Sequence, residues 1–473
     1  MPTTRPNILI FFVDQQRHDT TGVHGCPLSL TPTFDRLARA GTDIHRSFTC
    51  QPVCGPARAC LQTGTHATTH GSVTNTIGLT PELPLLADQF RNAGYHTGYL
   101  GKWHLARENT LGPVPPDQRG GYNYWLAANA LEMTSDAYRT RLWDTDNQPH
   151  DLPGYRVDAL TDALIRHLDD RIVNHDDQPW FTMCSYLEPH HQNHVDDYPP
   201  PDGYREPYAG RWCPPDLAAL PSQAADEALT GGSTHAHLAG YCGMIKRLDE
   251  ALGRVVDVLK SRGVLENTVI LYTSDHGCHF KTRNDEYKRS GHEASIRVPT
   301  MLYGGPFTGG GRIDSLISLV DLPATLLDAA GIAPPPTFEG RSLLPLVRRD
   351  AEALAAWPDD MYVQISERCW GRAVRSRRWK YILRDFSRDE LGHQDYNGTH
   401  DSLTETELYD LQHDPHELTN LVALDSHARV REVMRTRLRR RMETLHEPAP
   451  QIIEPSETLS GGQRVVTEAE AWL

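Results

Sequence analysis

Polar residues with ligand or proton-transfer chemistry follow short apolar runs at four places in this chain. Ile8-Leu9-Ile10-Phe11-Phe12-Val13 hands over to Asp14-Gln15, and residues 268–273 lead to Asp275-His276-Gly277. Residues 180–187 lead to Glu188-Pro189-His190-His191, and the short run around Tyr99 leads to Gly101-Lys102-Trp103-His104. A continuous apolar run suits a strand buried on both faces, and in open parallel sheets ligands sit beyond the carboxyl ends of the strands. Gathered there, the Asp14 and Asp275 carboxylates, the Gln15 amide oxygen and the His276 imidazole form an oxygen-rich site for a hard divalent cation. A single Asp after a strand ordinarily caps a turn or a helix. Four such ends in one chain point to a shared site, because unpaired buried charge is costly.

A fifth segment adds a nucleophile. Cys54-Gly55-Pro56-Ala57-Arg58, running on to Thr63-Gly64, reads as a loop entering a helix, with Pro56 in the first turn and Gly64 at the end. Cys54 then stands at a helix N-terminus, where the dipole and the free N–H groups favour an anion. Arg58 lies one turn on and reaches the same place. A structural buried cysteine and a reactive thiolate fit this segment as well.

The elements that must position these residues alternate. Helices are expected over residues 31–41, 84–93, 157–173 and 239–262, between strands at 8–13, 96–100, 180–187 and 268–273. The alternation predicts an α/β fold in which a large, mostly parallel sheet is sandwiched by helices. Residues 188–216 read as an ordered insertion loop. After about residue 350 the pattern changes to short strands at 361–365, 372–374 and 380–383 and a basic helix over 426–446, read as a solvated face. This divides the chain into a catalytic α/β domain, 1–350, and a smaller C-terminal α+β subdomain, 351–473, with an extended arm after Pro448.

Composition narrows the function. Of 473 residues, 47 are Lys or Arg and 62 are Asp or Glu, a net charge of −15. That field repels phosphates and excludes a mainly electrostatic nucleic-acid binder. Nine cysteines, an odd number, argue against a disulfide framework. The longest apolar runs are strand-sized, so no membrane span is expected. The N-terminal run lacks a small-residue cleavage site, so a cytoplasmic protein is expected, acting on a small substrate that enters the cell.

The motifs resemble those of a known family. Cys54-x-Pro56-x-Arg58 with Thr63-Gly64 resembles the first signature of the type I, formylglycine-dependent sulfatases of the alkaline phosphatase superfamily. Gly94-Tyr95-His96-Thr97, continuing to Gly101-Lys102-Trp103-His104, matches the second. Ser274-Asp275-His276-Gly277, Lys288 through Pro299, and Glu407 through Leu421 extend the likeness over nearly the whole chain, to an alkaline-phosphatase-like fold.

The resemblance implies that Cys54 is oxidised to formylglycine by a formylglycine-generating enzyme. Its hydrate would attack the sulfur of a carbohydrate or small-molecule sulfate ester and pass through a covalent formylglycine-sulfate intermediate. It implies Asp14, Gln15, residue 54, Asp275 and His276 as ligands of one divalent metal, Arg58 and Lys102 as groups that orient and neutralise, and His104 as the base that releases sulfate. His190, then Lys288, would protonate the leaving alcohol. Many members carry Asp at position 15 and Asn at 276; Gln15 and His276 resemble the branch with phosphonate monoester hydrolases and choline sulfatases. Ca2+ is the expected metal, with Mn2+ or Mg2+ admitted by the imidazole. A phosphonate monoester or phosphodiester hydrolase is the alternative enzyme; a metal-bound anion-binding protein with unmodified Cys54 is the alternative of another class. His279, Lys281, Arg283 and His292, and more remotely Trp370, Arg372 and Arg375, are candidates to line the pocket, and Cys60 is expected to be structural.

Overall fold

The computed structural model describes residues 5–80, 82–108, 111–175, 178–223, 234–385, 401–461 and 463–473. Among these, ten strands form one sheet. Its order is β11 (Gly311–Ile313), β2 (Thr42–Ile44), β10 (Met301–Tyr303), β9 (Thr268–Ser274), β1 (Asn7–Val13), β8 (Trp180–Ser185), β4 (His96–Lys102), β5 (Tyr124–Ala128), β6 (Arg139–Asp144) and β7 (Pro149–Pro153). A two-stranded ribbon joins β3 (Ser47–Phe48) to β12 (Ile317–Ser318).

The apolar run of β1 explains its place. Ile8, Ile10 and Phe12 enter one core cluster while Leu9, Phe11 and Val13 enter another, so both faces of the strand are covered. Burying each such side chain contributes about 1.5–3 kcal/mol relative to exposure. The second cluster includes Leu160, Leu164 and Leu168 of helix Arg156–Asn174, packed with Leu248, Leu252 and Val255 of helix Thr234–Ser261. Helix Pro32–Ala40 follows Thr31 and stops at Gly41, as the sequence predicts. Its first N–H groups are met by Asp249, whose carboxylate accepts from Thr33 N at 2.9 Å and Phe34 N at 2.8 Å.

The sheet is mostly parallel, with two antiparallel interruptions. β9, β1, β8, β4 and β5 run in one direction, but β10 is antiparallel to both neighbours, and β5–β6–β7 is an antiparallel meander. The expected mostly parallel sheet is therefore observed, β11 being parallel to β2 as well, with antiparallel pairings only around β10 and along β5–β6–β7. The β6–β7 link turns through Asn147 at φ 64° and is far too short for a parallel crossover.

The C-terminal region forms a second sheet, β13 (Asp360–Ile365), β14 (Trp370–Ser376), β15 (Trp379–Asp385), β16 (Ser402–Asp410) and β17 (Gln451–Ile453). Helix Ala428–Thr444 covers one face with Val430, Val433, Met434 and Leu438, and the other face meets Phe48 and Ile296 from the N-terminal part of the chain. Two expectations are corrected here. The basic helix is not simply solvated: Arg437, Arg440 and Arg441 converge on buried Asp360, and Arg435 meets buried Glu405. Nor is the chain after Pro448 a plain arm, since β17 extends the sheet and the Glu468–Ala471 turn receives the Trp379 indole N–H at 2.7 Å.

All nine cysteines are free thiols. Among the described residues, no helix is long and apolar enough to cross a membrane.

Candidate active site

The carboxyl ends of the central strands converge on one point. β1 and β9 are parallel neighbours with Val13 opposite Ser274, so Asp14 and Asp275 emerge side by side. Gln15 turns out of the strand at φ 69°, and its backbone N–H donates to Asp275 Oδ1 at 3.0 Å. Lys102 closes β4, and His104 follows at φ 60° with its N–H held by the Asn129 carbonyl at 2.8 Å. β8 delivers Ser185 and then His190 across the cis Glu188–Pro189 bond.

Cys54 is the first residue of helix Cys54–Thr63, which ends at Gly64 in the left-handed region (φ 65°). The adjacent Gly55 N–H is held by Asn75 Oδ1 at 2.8 Å. Cys54 Sγ faces Asp14 Oδ1 at 3.6 Å, His276 Nε2 at 3.2 Å and Lys288 Nζ at 2.8 Å. Arg58, one turn on, donates from Nη2 to Asp14 Oδ2 at 2.9 Å and pairs with Asp275 Oδ2 at 3.2 Å, while Nη1 donates to Ser185 Oγ at 2.6 Å. Lys102 Nζ donates to Asp14 Oδ2 at 2.9 Å and lies 3.1 Å from Glu132 Oε1. Lys288 Nζ also lies 3.0 Å from His190 Nε2, and His190 Nδ1 faces the His191 carbonyl at 2.5 Å. That carbonyl keeps the proton on Nδ1 and leaves the Nε2 lone pair toward Lys288.

These side chains are almost fully buried, so their charges set one another. Burial and Cys54 push Asp14 upward, but Lys102, His190 and Arg58 outweigh them and hold its carboxyl well below the usual range. Asp275 goes the other way, raised to about 6 by burial and by Asp14. Burial opposes ionisation of Cys54, yet Lys102, Lys288 and His276 hold its thiol far below the ordinary value. Burial, and then the neighbouring Lys288, lower His190. The site thus favours an anion at position 54 between two cations.

The donors fit a cation. Asp14, Cys54, Asp275 and His276 each present one ligand atom within 4.8 Å of the others. The Gln15 amide nitrogen is held by Tyr198 Oη at 3.2 Å and Cys278 Sγ at 3.3 Å, which leaves its buried Oε1 without a partner. His276 Nδ1 faces the Gly277 carbonyl at 3.0 Å, so its Nε2 lone pair points at the two carboxylates, 3.7 Å from Asp14 and 3.6 Å from Asp275. An orphan carbonyl oxygen, an imidazole lone pair and two crowded carboxylates make a ligand set short of positive charge.

The structure brings all ten candidate site residues together: Asp14, Gln15, Cys54, Arg58, Lys102, His104, His190, Asp275, His276 and Lys288. A cleft of ≈ 410 Å3 opens above them, lined by Gln15, Cys54, His104, His190 and Lys288. Lys281 stands in its wall, with its ammonium 4.7 Å from the Tyr287 ring centre. The remaining pocket candidates lie elsewhere. His279 supports Lys288 from behind by facing its carbonyl at 3.0 Å, and Arg283 donates to the carbonyls of His416 and Glu417. His292 packs against Tyr409, Arg372 is spent on Glu447 with Trp370 stacked on it, and Arg375 is spent on Glu293. Cys60 is buried against His70 Nε2 at 3.3 Å, a structural thiol. Glu188 turns from the cleft into a buried pair with Arg156 at 2.8 Å.

Sequence reasoning missed Glu132, Asn75 and Ser185. Glu132 lies just beyond β5, a strand whose Tyr-Trp-Leu-Ala-Ala run sat beside the four polar strand ends and could have marked a fifth. Asn75 follows no periodic segment, and only the fold brings it to the first turn of the cysteine helix.

The comparisons agree with this geometry. The family model "Sulfatase" matches residues 6–332, and the model "N-sulphoglucosamine sulphohydrolase, C-terminal" matches residues 285–444. The uncharacterized sulfatase YidJ of Escherichia coli is 28% identical over 94% of this chain and 88% of its own length. The N-acetylglucosamine-6-O-sulfatase of Bacteroides thetaiotaomicron is 25% identical over 90% of this chain and 84% of its own. The crystal structure of the phosphonate monoester hydrolase of Agrobacterium radiobacter shares the fold, with a TM-score of 0.68 at 24% identity over 93% of this chain and 95% of that one. With the family model spanning most of the chain and the strand ends converging on Cys54, this chain belongs to the sulfatase family, hydrolases of sulfate esters in the alkaline phosphatase superfamily.

Proposed function

We propose that the chain hydrolyses a sulfate monoester of a sugar or another small alcohol to the alcohol and inorganic sulfate, with Cys54 converted to formylglycine. One observation carries this reading: Cys54 Sγ sits at the first turn of its helix, within 3.6 Å of Asp14, His276 and Lys288, at the floor of the cleft. A thiol so placed, at the focus of two lysines and a candidate metal site, is where an oxygen nucleophile is needed.

Asp14, Gln15, Asp275, His276 and residue 54 would hold a divalent cation, Ca2+ being the first choice for this oxygen-rich set and Mn2+ or Mg2+ the alternatives. Bound there, it supplies positive charge to the sulfuryl oxygens and lowers the pKa of a hydroxyl on residue 54. Formylglycine supplies that hydroxyl as its hydrate. Arg58 and Lys102 fix Asp14 and add charge against which the sulfuryl group is transferred. Lys288 donates a proton to the departing alcohol oxygen, and the His190 Nε2 lone pair, 3.0 Å from its ammonium, holds it in place. Burial and Lys288 keep His190 neutral, so we assign the donor role to Lys288 first and His190 second, the reverse of the order read from sequence. His104, which lines the cleft with Cys54, takes the proton when sulfate is released. Over the cycle, one S–O bond to the alcohol is replaced by one to water oxygen.

A mixed polar rim with Tyr287 stacked on His191 at 4.0 Å suits a hydroxylated ring. The substrate named for the Bacteroides thetaiotaomicron relative supports a sulfated sugar. The test has three readouts on the purified chain. Intact mass should fall by about 18 Da on conversion of Cys54. p-Nitrophenyl sulfate should turn over faster than a phenyl phosphonate monoester. A panel of sulfated monosaccharides should release sulfate. Faster phosphonate turnover would transfer the site to the alternative enzyme class, and metal binding with no turnover by the converted protein would make it an anion-binding protein.

A further inference from the structure

A second group of metal-ligating side chains lies outside the active site. The chain leaving Gln15 passes through two short turns, His18–Thr20 and Gly22–His24, and folds beside the end of β2, where His45 follows Ile44. His18, His24 and His45 meet there. The ring centres of His18 and His24 are 4.2 Å apart at 26°, and His45 lies 5.8 Å from the first and 5.5 Å from the second. One ring nitrogen from each falls within 4.8 Å of the other two.

We propose that His18, His24 and His45 form a binding site for a borderline-soft divalent cation of the zinc class. Buried polar atoms ordinarily find partners, yet His18 Nε2 and His45 Nδ1 have none, and His18 is only 9% exposed. His24 Nε2 meets Asp43 Oδ1 at 2.8 Å, the carboxylate–imidazole contact that orients a metal-binding histidine through its other nitrogen. That other nitrogen, Nδ1, faces the Thr21 hydroxyl at 2.7 Å, and the hydroxyl has a second acceptor in the His18 carbonyl at 3.3 Å to which it can turn.

Three imidazoles and no thiolate favour zinc-class ions over calcium. Zinc–nitrogen bonds of about 2.1 Å set tetrahedral nitrogens about 3.4 Å apart, so side-chain shifts of about an ångström close the set. Burial and surrounding cations lower His18 and His45, which keeps both imidazoles in the neutral, ligating form. The opposing feature is Arg297. Its Nη2 lies 3.4 Å from His45 Nε2, but the same nitrogen donates to the His45 carbonyl at 2.7 Å, so the guanidinium is already committed beside the cluster. Asp43 supplies compensating negative charge on the other side. The fourth ligand position is left for solvent.

The experiment uses Zn2+ alone as probe, titrated into the full chain against a chromophoric zinc indicator. The Cys54→Ala/Asp275→Asn variant removes two donors from the active-site set, and it should still bind one equivalent of zinc. Adding His18→Gln/His45→Gln should weaken that binding by more than about 100-fold with far-UV circular dichroism unchanged. Absence of zinc binding in the first variant, or the same affinity in the second, overturns the proposal. Should the second variant not fold, Co2+ decides on the first: strong visible d–d absorption of a four-coordinate ion supports the site, and its absence overturns it.

Discussion

Lys288 Nζ donates to Cys54 Sγ at 2.8 Å from a loop 234 residues further along the chain. The same ammonium lies 3.0 Å from His190 Nε2, so one cation serves both the nucleophile position and its imidazole neighbour. A proton donor matters most when the leaving oxygen is basic. Lys288→Ala should therefore lower kcat by about 10²–10⁴-fold on a sugar sulfate but much less on p-nitrophenyl sulfate, whose phenolate leaves unaided. Steady-state kinetics on the two substrates checks this, and equal losses on both would assign Lys288 to charge neutralisation only.

Arg58 separates Asp14 from Asp275, touching both carboxylates with its own side chain 1% exposed. Removing one partner of a buried ion pair leaves uncompensated charge and costs about 3–5 kcal/mol. Arg58→Ala should lose stability on that scale in urea unfolding. Divalent cation should restore a larger share of stability to the variant than to the parent, because Asp275 has then lost its guanidinium partner and Asp14 keeps only Lys102. A variant melting like the parent without added metal would contradict this account.

The parts of the site that were legible in sequence share one physical cause. Asp14, Asp275, Lys102 and His190 each end or follow an apolar run, and parallel strands place such ends on one edge, so run and edge together predict proximity. Cys54 and Arg58 were legible because helix start signals and a one-turn spacing are local. Glu132 and Asn75 were not, because their roles depend on strand order and on a loop packing against a helix, both set by contacts far apart in the chain. The antiparallel pairings were not legible for a related reason: local pattern distinguishes buried from half-buried strands but not the direction of short ones such as β10. The arginines of the C-terminal helix looked solvated because their carboxylate partners, Asp360 and Glu405, are strand residues remote in sequence.

Glu132 holds Lys102 at 3.1 Å and lies 3.8 Å from His104 Nδ1. Burial would raise its carboxyl, but Lys102 and then His104 hold it down, to about 2, so it is anionic at neutral pH. It orients a cation and a base without reaching Cys54. Glu132→Gln should lower kcat by about 10–100-fold, the scale for supporting residues, with KM little changed. A mainly KM effect would instead place Glu132 on the substrate.

The helix that carries Cys54 is tied at its far end by Glu339. The Glu339 backbone N–H donates to the Gly64 carbonyl at 2.8 Å, and its carboxylate accepts from His66 N at 2.6 Å and meets His66 Nδ1 at 2.7 Å. Burial lowers the His66 pKa, but Glu339 more than offsets it, and the imidazole ends up raised above 6.5. Burial raises Glu339, and His66 overcomes it, leaving the carboxyl below 4.5. The signs follow. The raised histidine contributes stability that is complete below about 6.5 and is lost as pH climbs through its folded value. The lowered glutamate contributes stability that is complete above about 4.5 and is lost as pH falls through its folded value. The pair is therefore strongest between about pH 4.5 and 6.5. Glu339→Gln should cost about 1.5–3 kcal/mol at pH 5.5, the range for hydrogen bonds to charged groups, and distinctly less at pH 9. Urea unfolding at the two pH values measures it, and a cost independent of pH would mean that the glutamate acts here through its shape and hydrogen bonds rather than its charge.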